Sequence, residues 1–241
     1  MKKVLIMPVL AAVLFAAACE EDGGPTTVGP TASVRFFNAM TGMTGSGGFT
    51  TDGQFAAGSA LAFGQSTQTC STVNAGSTLF GFGAANAGGT GLSGNALATL
   101  NNQSITDGGN YTVAATGSAT SPTLFLLDNN FSGSLATNQA AVRFVNLAPG
   151  TGTTANTFTV LRGTLGSGTT VVATNIAVGS PTTFSTAASG SNAFTILQGH
   201  NTVISGSAAT LNLQAGTVNT LAIVSNTASG GFQLINIPRC S

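Results

Sequence analysis

The sequence predicts an all-β protein made of two β-sandwich domains in tandem. Beyond residue 31 the chain has no Lys and no Glu, the residues that usually furnish the solvent face of a helix. Thr is frequent and favours strands, while the abundant Gly, Ser and Asn favour turns. Short apolar segments recur between these turns, and their order repeats once along the chain. These observations argue against a mainly helical fold.

Residues 1–18 have the layout of an export signal. Lys2 and Lys3 precede an apolar run that ends in small residues before Cys19. The run is shorter than the about 20 apolar residues that a membrane-spanning helix needs. We therefore expect residues 1–18 to be a signal peptide that is removed on export.

The ending LFAAAC resembles the lipobox of bacterial lipoproteins, in which a peptidase cuts before the cysteine and the thiol carries the lipid. The resemblance implies that Cys19 is the lipidated N-terminus of the mature protein, although Ala16 stands where that family usually has Leu. An ordinary secretory signal cut after Ala18, with an unmodified cysteine, is the alternative. In such lipoproteins Asp after the cysteine tends to mean inner-membrane retention, so Glu20 favours the outer membrane of a Gram-negative-type bacterium.

Residues 19–31 are acidic at first and then rich in Gly, Pro and Thr. This composition cannot bury enough apolar surface to order itself, so we expect a flexible tether between the lipid and the fold. A membrane, reached through the lipid on Cys19, is therefore a predicted partner.

Charged side chains are scarce beyond the tether. They are Arg35, Arg143, Arg162, Arg239, Asp52, Asp107 and Asp128, joined by a single histidine, His200. A fold with so few basic residues cannot attract a polyanion by charge, so nucleic acid is excluded as a partner.

Four blocks of sequence recur in the same order in the two halves of the chain. ASVRFFNAMTG at Ala32–Gly42 returns 108 residues later as AAVRFVNLAPG at Ala140–Gly150. DGGNYTVAATG and LFLLDN return at the same offset as AGTVNTLAIVS and FQLINI, and a middle block aligns after a gap of one residue. This pattern predicts a tandem duplication, with domains at residues 32–136 and 137–241.

Each unit reads as short strands separated by turns, at a spacing that suits a β-sandwich. The first strand is predicted at Val34–Asn38 and at Val142–Asn146, with a turn at Pro149 and Gly150 in the second unit. Further strands are predicted in the second unit at Phe158–Leu161, Thr170–Ala173, Phe194–Gln198, Ala209–Leu213, Thr220–Val224 and Phe232–Ile235.

Cys70 and Cys240 remain once Cys19 is set aside, an even number in an exported chain. A Cys70–Cys240 disulfide would join the first domain to the end of the chain and contribute on the order of a few kcal/mol. Two separate buried thiols are the alternative. The alignment of the halves places Cys70 opposite Phe184, which predicts a packed position and weighs against the bridge.

The order VRFxN, a small or Pro turn, AG[ST] and G-x-x-YT-[VL] resembles the bacterial family called domain of unknown function 4397. The resemblance implies immunoglobulin-like β-sandwiches, often in two tandem copies, in an exported and often lipidated protein of the outer surface. It implies no known activity. The chain departs from the family at Asn38 and Asn146, where His is common, and at Asn219, where Tyr111 shows the usual aromatic.

The residues needed for catalysis are nearly absent. A Ser, His and Asp arrangement must use His200, which lies in a predicted Gly-His-Asn turn, and no G-x-S-x-G elbow occurs. Paired carboxylates would come from Asp52, Asp107 and Asp128, whose neighbours are typical of turns. We therefore expect the protein not to be an enzyme.

No metal or cofactor site is predicted. No stretch of the mature fold has the clustered acids of a calcium loop or the clustered Cys and His of a zinc site. The runs at Gly81–Gly89 and Gly163–Thr170 lack the Lys and the following helix of phosphate-binding loops, so we interpret them as turn and loop glycines.

These observations favour a lipid-anchored, non-catalytic envelope protein with a structural or adhesive role. The alternative is a module that binds a glycan or polymer through Asn-, Thr-, Ser- and Gly-rich loops. Tyr111, Phe49 and Phe131 could then serve as stacking platforms, but filling of the cores is the simpler interpretation.

Arg35 and Arg143 hold the same place in the repeated phrase. No acidic residue follows Asp128, so an ion pair common to both units would need, for Arg143, a partner from the first domain or the terminal carboxylate of the chain. We expect a structural role instead, in which both guanidinium groups lie across a sheet edge or a loop and donate to backbone carbonyls.

Overall fold

A computed structural model describes residues 29–149, 157–163, 168–198, 202–226 and 231–240, with the backbone alone described for residues 202–207. The described part of the chain is all-β. The strands of its first half are β1 (Thr31–Thr41), β2 (Gly47–Thr51), β3 (Gln54–Phe55), β4 (Ser71–Asn74), β5 (Gly76–Ala84), β6 (Ala98–Ile105), β7 (Asn110–Ser118) and β8 (Ser121–Asp128). Those of the second half are β9 (Gln139–Asn146), β10 (Phe158–Arg162), β11 (Thr170–Ile176), β12 (Ser185–Ala188), β13 (Gly190–Gln198), β14 (Thr202–Leu213), β15 (Val218–Asn226) and β16 (Gly231–Pro238).

The strands form four sheets in two pairs, consistent with two β-sandwich domains. The first pair has the orders β4-β1-β7-β8 and β3-β2-β5-β6, and the second has β12-β9-β15-β16 and β11-β10-β13-β14. Every strand of the second pair is the strand eight places later in the chain than its counterpart. In each pair the opening strand runs parallel to a late strand, with Arg35 opposite Thr112 and Arg143 opposite Thr220.

Each sandwich has its own aromatic core, and strand alternation explains which residues enter it. Val34 and Phe36 of β1 lie in the first core, together with the rings of Phe49, Phe80 and Phe82. The second core holds Val142 and Phe144 of β9, with Phe158 and Phe194. Because successive side chains on a strand point to opposite faces, the arginine between each pair faces away from its core.

A third apolar cluster lies between the two sandwiches. It joins Phe37 and Ala39 of β1 to Val145 of β9 and to Leu147, which directly follows β9, and it also contains Ala114, Leu127, Ala222, Val224 and Ile237. The sheets that carry β1 and β9 therefore bury both of their faces. This double burial explains why the repeated phrase and the segment Thr220–Val224 are almost continuously apolar.

Two glycines at equivalent places contact the opposite sandwich. A Cβ atom on Gly64 would lie 3.1 Å from Cδ1 of Ile235, and one on Gly179 would overlap the ring of Phe125. Gly64 and Gly179 donate their amides to the carbonyls of Asn38 and Asn146, the last residue of each repeated VRFxN motif. In both directions, therefore, an equivalent glycine of one sandwich packs on the last strand of the other, on β16 for Gly64 and on β8 for Gly179.

The predicted strands of both units fall within strands of the structure. Val34–Asn38 lies in β1 and Val142–Asn146 in β9, and the six further predictions lie in β10, β11, β13, β14, β15 and β16. β12 was not predicted, because its four small residues do not show the alternation of apolar and polar side chains that is typical of a strand. Pro149 follows β9 as expected of a turn, whereas Gly150 lies outside the described residues. No helix long and apolar enough to cross a membrane occurs in the described ranges.

Candidate functional site

The two asparagines of the repeated VRFxN motif have the same role in both sandwiches. The Nδ2 atom of Asn38 donates to the carbonyl of Leu61 at 2.8 Å, and that of Asn146 donates to the carbonyl of Ile176 at 3.2 Å. Each Oδ1 atom accepts an amide two residues further on, at 2.9 Å in both cases. These buried side chains tie Leu61 and Ile176, which lie at equivalent places, to the opening strand of each sandwich, so both asparagines have a structural role.

Arg35 lies against a loop of its own sandwich. Its Nη1 atom donates to the carbonyls of Thr67 and, at 3.5 Å, of Gln68. Its Nε atom is buried and has no hydrogen-bond partner among the described residues. Arg35 therefore bonds to carbonyls over a loop, as the sequence predicted, but its strand β1 is an inner strand and not a sheet edge.

Arg143 crosses from the second sandwich to the first. Its Nε atom donates to Oγ1 of Thr220 at 3.0 Å, its Nη1 atom to the carbonyl of Asp128 at 2.6 Å, and its Nη2 atom to Oδ1 of Asn129 at 2.6 Å. Only the second of these acceptors is a backbone carbonyl. The prediction that Arg143 donates to backbone carbonyls across a sheet edge or a loop was thus incomplete, because β9 is an inner strand whose outer face is covered by the first sandwich.

Asn129 links the equivalent threonines of the two sandwiches. Its Nδ2 atom donates to Oγ1 of Thr112 at 2.8 Å, while its Oδ1 atom accepts a bond from Thr220 at 3.2 Å and the bond from Arg143. Thr112, Asn129, Arg143 and Thr220 form what we call the polar junction, and all four are at least nine-tenths buried. A group this enclosed and this fully bonded suits a structural role.

Burial also sets the electrostatics of the junction. Desolvation lowers the pKa of Arg143 to about 10, and the nearby carboxylate of Asp128 opposes part of that shift. Burial lowers the pKa of Arg35 as well. The guanidinium of Arg143 also lies 4.6 Å from the centre of the Phe184 ring, which packs edge-on against Phe131 at 5.7 Å. Arg143 stays charged at neutral pH and is held by cation–π contact as well as hydrogen bonds.

A disulfide joins Cys70 to Cys240, with the two Cα atoms 5.9 Å apart. The adjoining backbone is fixed as well, since Asn110 donates to the carbonyl of Cys240 at 2.8 Å and accepts its amide at 3.3 Å. Cys70 precedes β4 as Phe184 precedes β12, so the alignment found equivalent places. The packed position inferred from Phe184 does not prevent the bridge, because the end of the chain reaches that position in the first sandwich alone.

A cleft of about 740 Å³ opens at one end of the second sandwich, beside the disulfide. We call it the amide cleft, and its polar lining residues are Asn212, Gln214, Thr217, Asn219, Asn236 and Arg239. Pro238 and Cys240 complete the wall that carries Arg239. The cleft was not predicted, because its residues come from β14, β15, β16, the turn between β14 and β15, and the segment after β16.

The floor of the amide cleft is a short chain of amides. Asn236 donates to Oδ1 of Asn219 at 3.0 Å, and Asn219 donates to Oγ1 of Thr217 at 2.8 Å. The Oδ1 atom of Asn236 is buried and has no hydrogen-bond partner among the described residues. At the place of Asn219, the first sandwich has Tyr111, a buried ring whose hydroxyl bonds to Thr106. The departure at Asn219 therefore lies within the cleft.

The sequence-predicted acids are not brought together. The carboxylate of Asp52 accepts the amide of Leu79 at 2.9 Å, that of Asp107 accepts the amide of Thr31 at 3.0 Å, and that of Asp128 accepts the amide of Asn130 at 2.8 Å. Each acid thus bonds to a different backbone segment. No group of three or more potential metal ligands occurs in the part of the chain that the structure describes.

Other candidate residues divide between the cores and the undescribed ranges. Phe49 and Tyr111 are buried in the first core and are not exposed platforms, whereas Phe131 is half-buried and packs on Phe184. Gly81 and Gly83 lie within β5. Cys19 and His200, the leader and tether up to residue 28, and residues 164–167 of the second glycine run lie outside the described residues.

Comparison with known proteins gives one result for the family. A family model described as a domain of unknown function (DUF4397) matches residues 32–155, which take in the first sandwich and strand β9. No curated protein matches the chain.

Proposed function

Because the chain belongs to the family described as a domain of unknown function (DUF4397), we propose that it is a lipid-anchored, non-catalytic protein of the cell envelope with a structural or adhesive role. In this proposal residues 1–18 are the signal peptide, Cys19 carries the lipid and residues 19–31 are the tether. The anchor lies in the outer membrane or at the cell surface of a Gram-negative-type bacterium.

We further propose that the second sandwich is another copy of the family domain and that both are immunoglobulin-like. The strand orders of the two sandwiches support this, since they match strand for strand. The equivalent bonds of Asn38 and Asn146 support it as well. A common ancestor explains both features more simply than convergence.

The observation that carries the proposed role is the joining of the sandwiches. An apolar cluster, the polar junction and the Cys70–Cys240 disulfide all span the boundary between them. A disulfide persists in oxidising compartments outside the cytosol, which favours export. A pair of domains fixed in this way suits a rigid spacer or a displayed surface.

Labelling with radioactive palmitate tests the anchor. The wild-type protein should incorporate label and fractionate with membranes, and Cys19→Ala should lose both. Cys70→Ser is the matched control, because it also removes a thiol but should keep the label. Equal labelling of the Cys19→Ala variant and the wild type would contradict lipid attachment at Cys19.

A second function, binding of a glycan or other hydrophilic polymer, is favoured by the amide cleft. Its amide and hydroxyl groups can donate and accept hydrogen bonds with sugar hydroxyls, and its volume of about 740 Å³ is in the range of ligand sites. A glycan array probed with the wild type and with Asn212→Ala/Gln214→Ala tests it. Signals that are equal for both proteins would argue against binding in this cleft.

A further inference from the structure

We propose that the amide cleft binds an acidic saccharide chain, with Arg239 pairing to a carboxylate on a sugar ring and the amides bonding to ring hydroxyls. The inference rests on the second function proposed above, polymer binding, and specifies its site and the chemistry of its ligand.

The charge of the cleft is the first argument. Arg35 and Arg143 are buried and committed to protein acceptors, but the side chain of Arg239 lines a cleft and has no acidic partner in the described ranges. Among the residues that the structure describes, no Asp or Glu lines the cleft either. Within the described ranges, the guanidinium of Arg239 has no hydrogen-bond or ion-pair partner in the protein. A guanidinium matches the two oxygens of a carboxylate, so an acidic ligand would supply what the protein does not.

The other lining groups favour a sugar over an apolar ligand. Ligand sites are usually lined by apolar and aromatic side chains, but no aromatic ring lines this cleft among the described residues. Amides from three strands face it instead. The side chains of Asn212 and Gln214 are exposed at the cleft, so their amide groups can donate hydrogen bonds to ring hydroxyls and accept them.

The disulfide gives the cleft a fixed wall. Arg239 lies between Pro238, the last residue of β16, and Cys240, which is bonded to Cys70 and to the amide of Asn110. The Arg239 amide also donates to the carbonyl of Val218 at 3.2 Å. A segment tied at both ends loses little conformational freedom when a ligand binds. Reduction of the disulfide should therefore weaken binding even while both sandwiches remain folded.

Calorimetric titration of the oxidised mature chain tests the proposal. The probes are trigalacturonate, trimannuronate and the methyl ester of trigalacturonate, which keeps the rings but removes the charge. At least one acid trimer should bind, and more weakly at higher ionic strength. Arg239→Ala should raise its Kd by about tenfold to a hundredfold, the size expected for a charge-assisted bond. Asn212→Ala/Gln214→Ala should also weaken binding, whereas Arg162→Ala, an arginine of β10 outside the cleft, should not.

The possible contrary results separate this inference from polymer binding in general. Equal affinity for the acid trimer and its methyl ester, unchanged by Arg239→Ala, would overturn the role of charge and leave neutral glycan binding standing. Binding of neither acid trimer would overturn the inference. Acid binding that survives Arg239→Ala in a protein with unchanged circular dichroism would show that the site lies elsewhere. Binding of acidic peptides in place of the trimers would also overturn it.

Discussion

The Oδ1 atom of Asn129 lies 2.6 Å from the Nη2 atom of Arg143, and this bond joins one sandwich to the other. Asn129 follows directly after the last strand of the first sandwich, and Arg143 lies in the first strand of the second. A charge-assisted hydrogen bond therefore joins the segment after β8 to the first strand of the second sandwich. Arg143 makes this bond between the sandwiches, whereas Arg35, its counterpart in the repeat, bonds within its own sandwich.

Arg35→Ala and Arg143→Ala should destabilise the protein unequally. The sequence alone predicts comparable losses, but Arg143 makes three hydrogen bonds and a ring contact, and two of those bonds, to Asp128 and Asn129, reach the other sandwich. Its removal leaves buried acceptors unpaired, so we expect a loss of about 3 kcal/mol, against about 1 kcal/mol for Arg35→Ala. Urea unfolding measures both.

A double-mutant cycle tests whether the junction is the cause. The effects of Asn129→Ala and Arg143→Ala should be less than additive when combined, since each removes the same bond. Asn101→Ala, which changes an exposed amide of β6, is the control and should have little effect. Equal losses for the two arginines, or full additivity in the cycle, would contradict this account.

Gly179→Ala should destabilise the protein by about 2 kcal/mol or more, through two effects. The φ angle of Gly179 is +74°, which an alanine adopts with strain, and the new methyl group would overlap Phe125 of the other sandwich. Gly64→Ala is the matched comparison, because Gly64 has a similar φ of +76° but a looser contact with Ile235. Thermal unfolding should show a smaller loss for Gly64→Ala, and a smaller loss for Gly179→Ala would contradict the packing described.

Cys70→Ser should lower the free energy of unfolding by about 3 to 5 kcal/mol, since the bridge closes a loop with a sequence separation of 170. Cys240→Ser should cost a similar amount, and the double variant should cost no more than either single one, because all three lack the same bond. Denaturant unfolding with and without a reductant measures this. A wild type whose stability is unchanged by complete reduction would show that the bridge has no stabilising role.

The repeat and the strands could be predicted because they leave local traces. The repeat at an offset of 108 residues and the apolar segments can be read from the amino-acid sequence, and the apolar segments located strands such as Thr220–Val224. The paired arginines were visible for the same reason. The strands that contain Phe37 and Val145 have apolar residues on both faces, so both faces had to be covered. This pattern also indicated that the outer face of each strand packs against another part of the protein.

The polar junction and the cleft could not be predicted, because they depend on how distant segments meet. Asn129 lies in a polar segment whose composition is typical of a linker, and the residues around it in the sequence do not indicate that it bonds to Arg143. Cys70 and Phe184 are aligned and occupy equivalent positions in the two sandwiches, but their interactions differ. Cys70 forms the disulfide, whereas the ring of Phe184 packs against the guanidinium of Arg143. Asn219 was the one local signal of the cleft, as a departure from the expected aromatic.

The Cys70–Cys240 bond has a mechanical consequence. A pulling force applied beyond Cys240, with the chain held at its N-terminal side, passes through the sulfur atoms to Cys70 and so bypasses strands β9 to β16. The load then falls on β4 and β1, which are antiparallel and pair from Thr31 with Asn74 to Val34 with Ser71. Because the two pulled ends lie at opposite ends of this pairing, its hydrogen bonds are sheared together and do not unzip one by one. The first sandwich bears the tension, and the second is shielded from it.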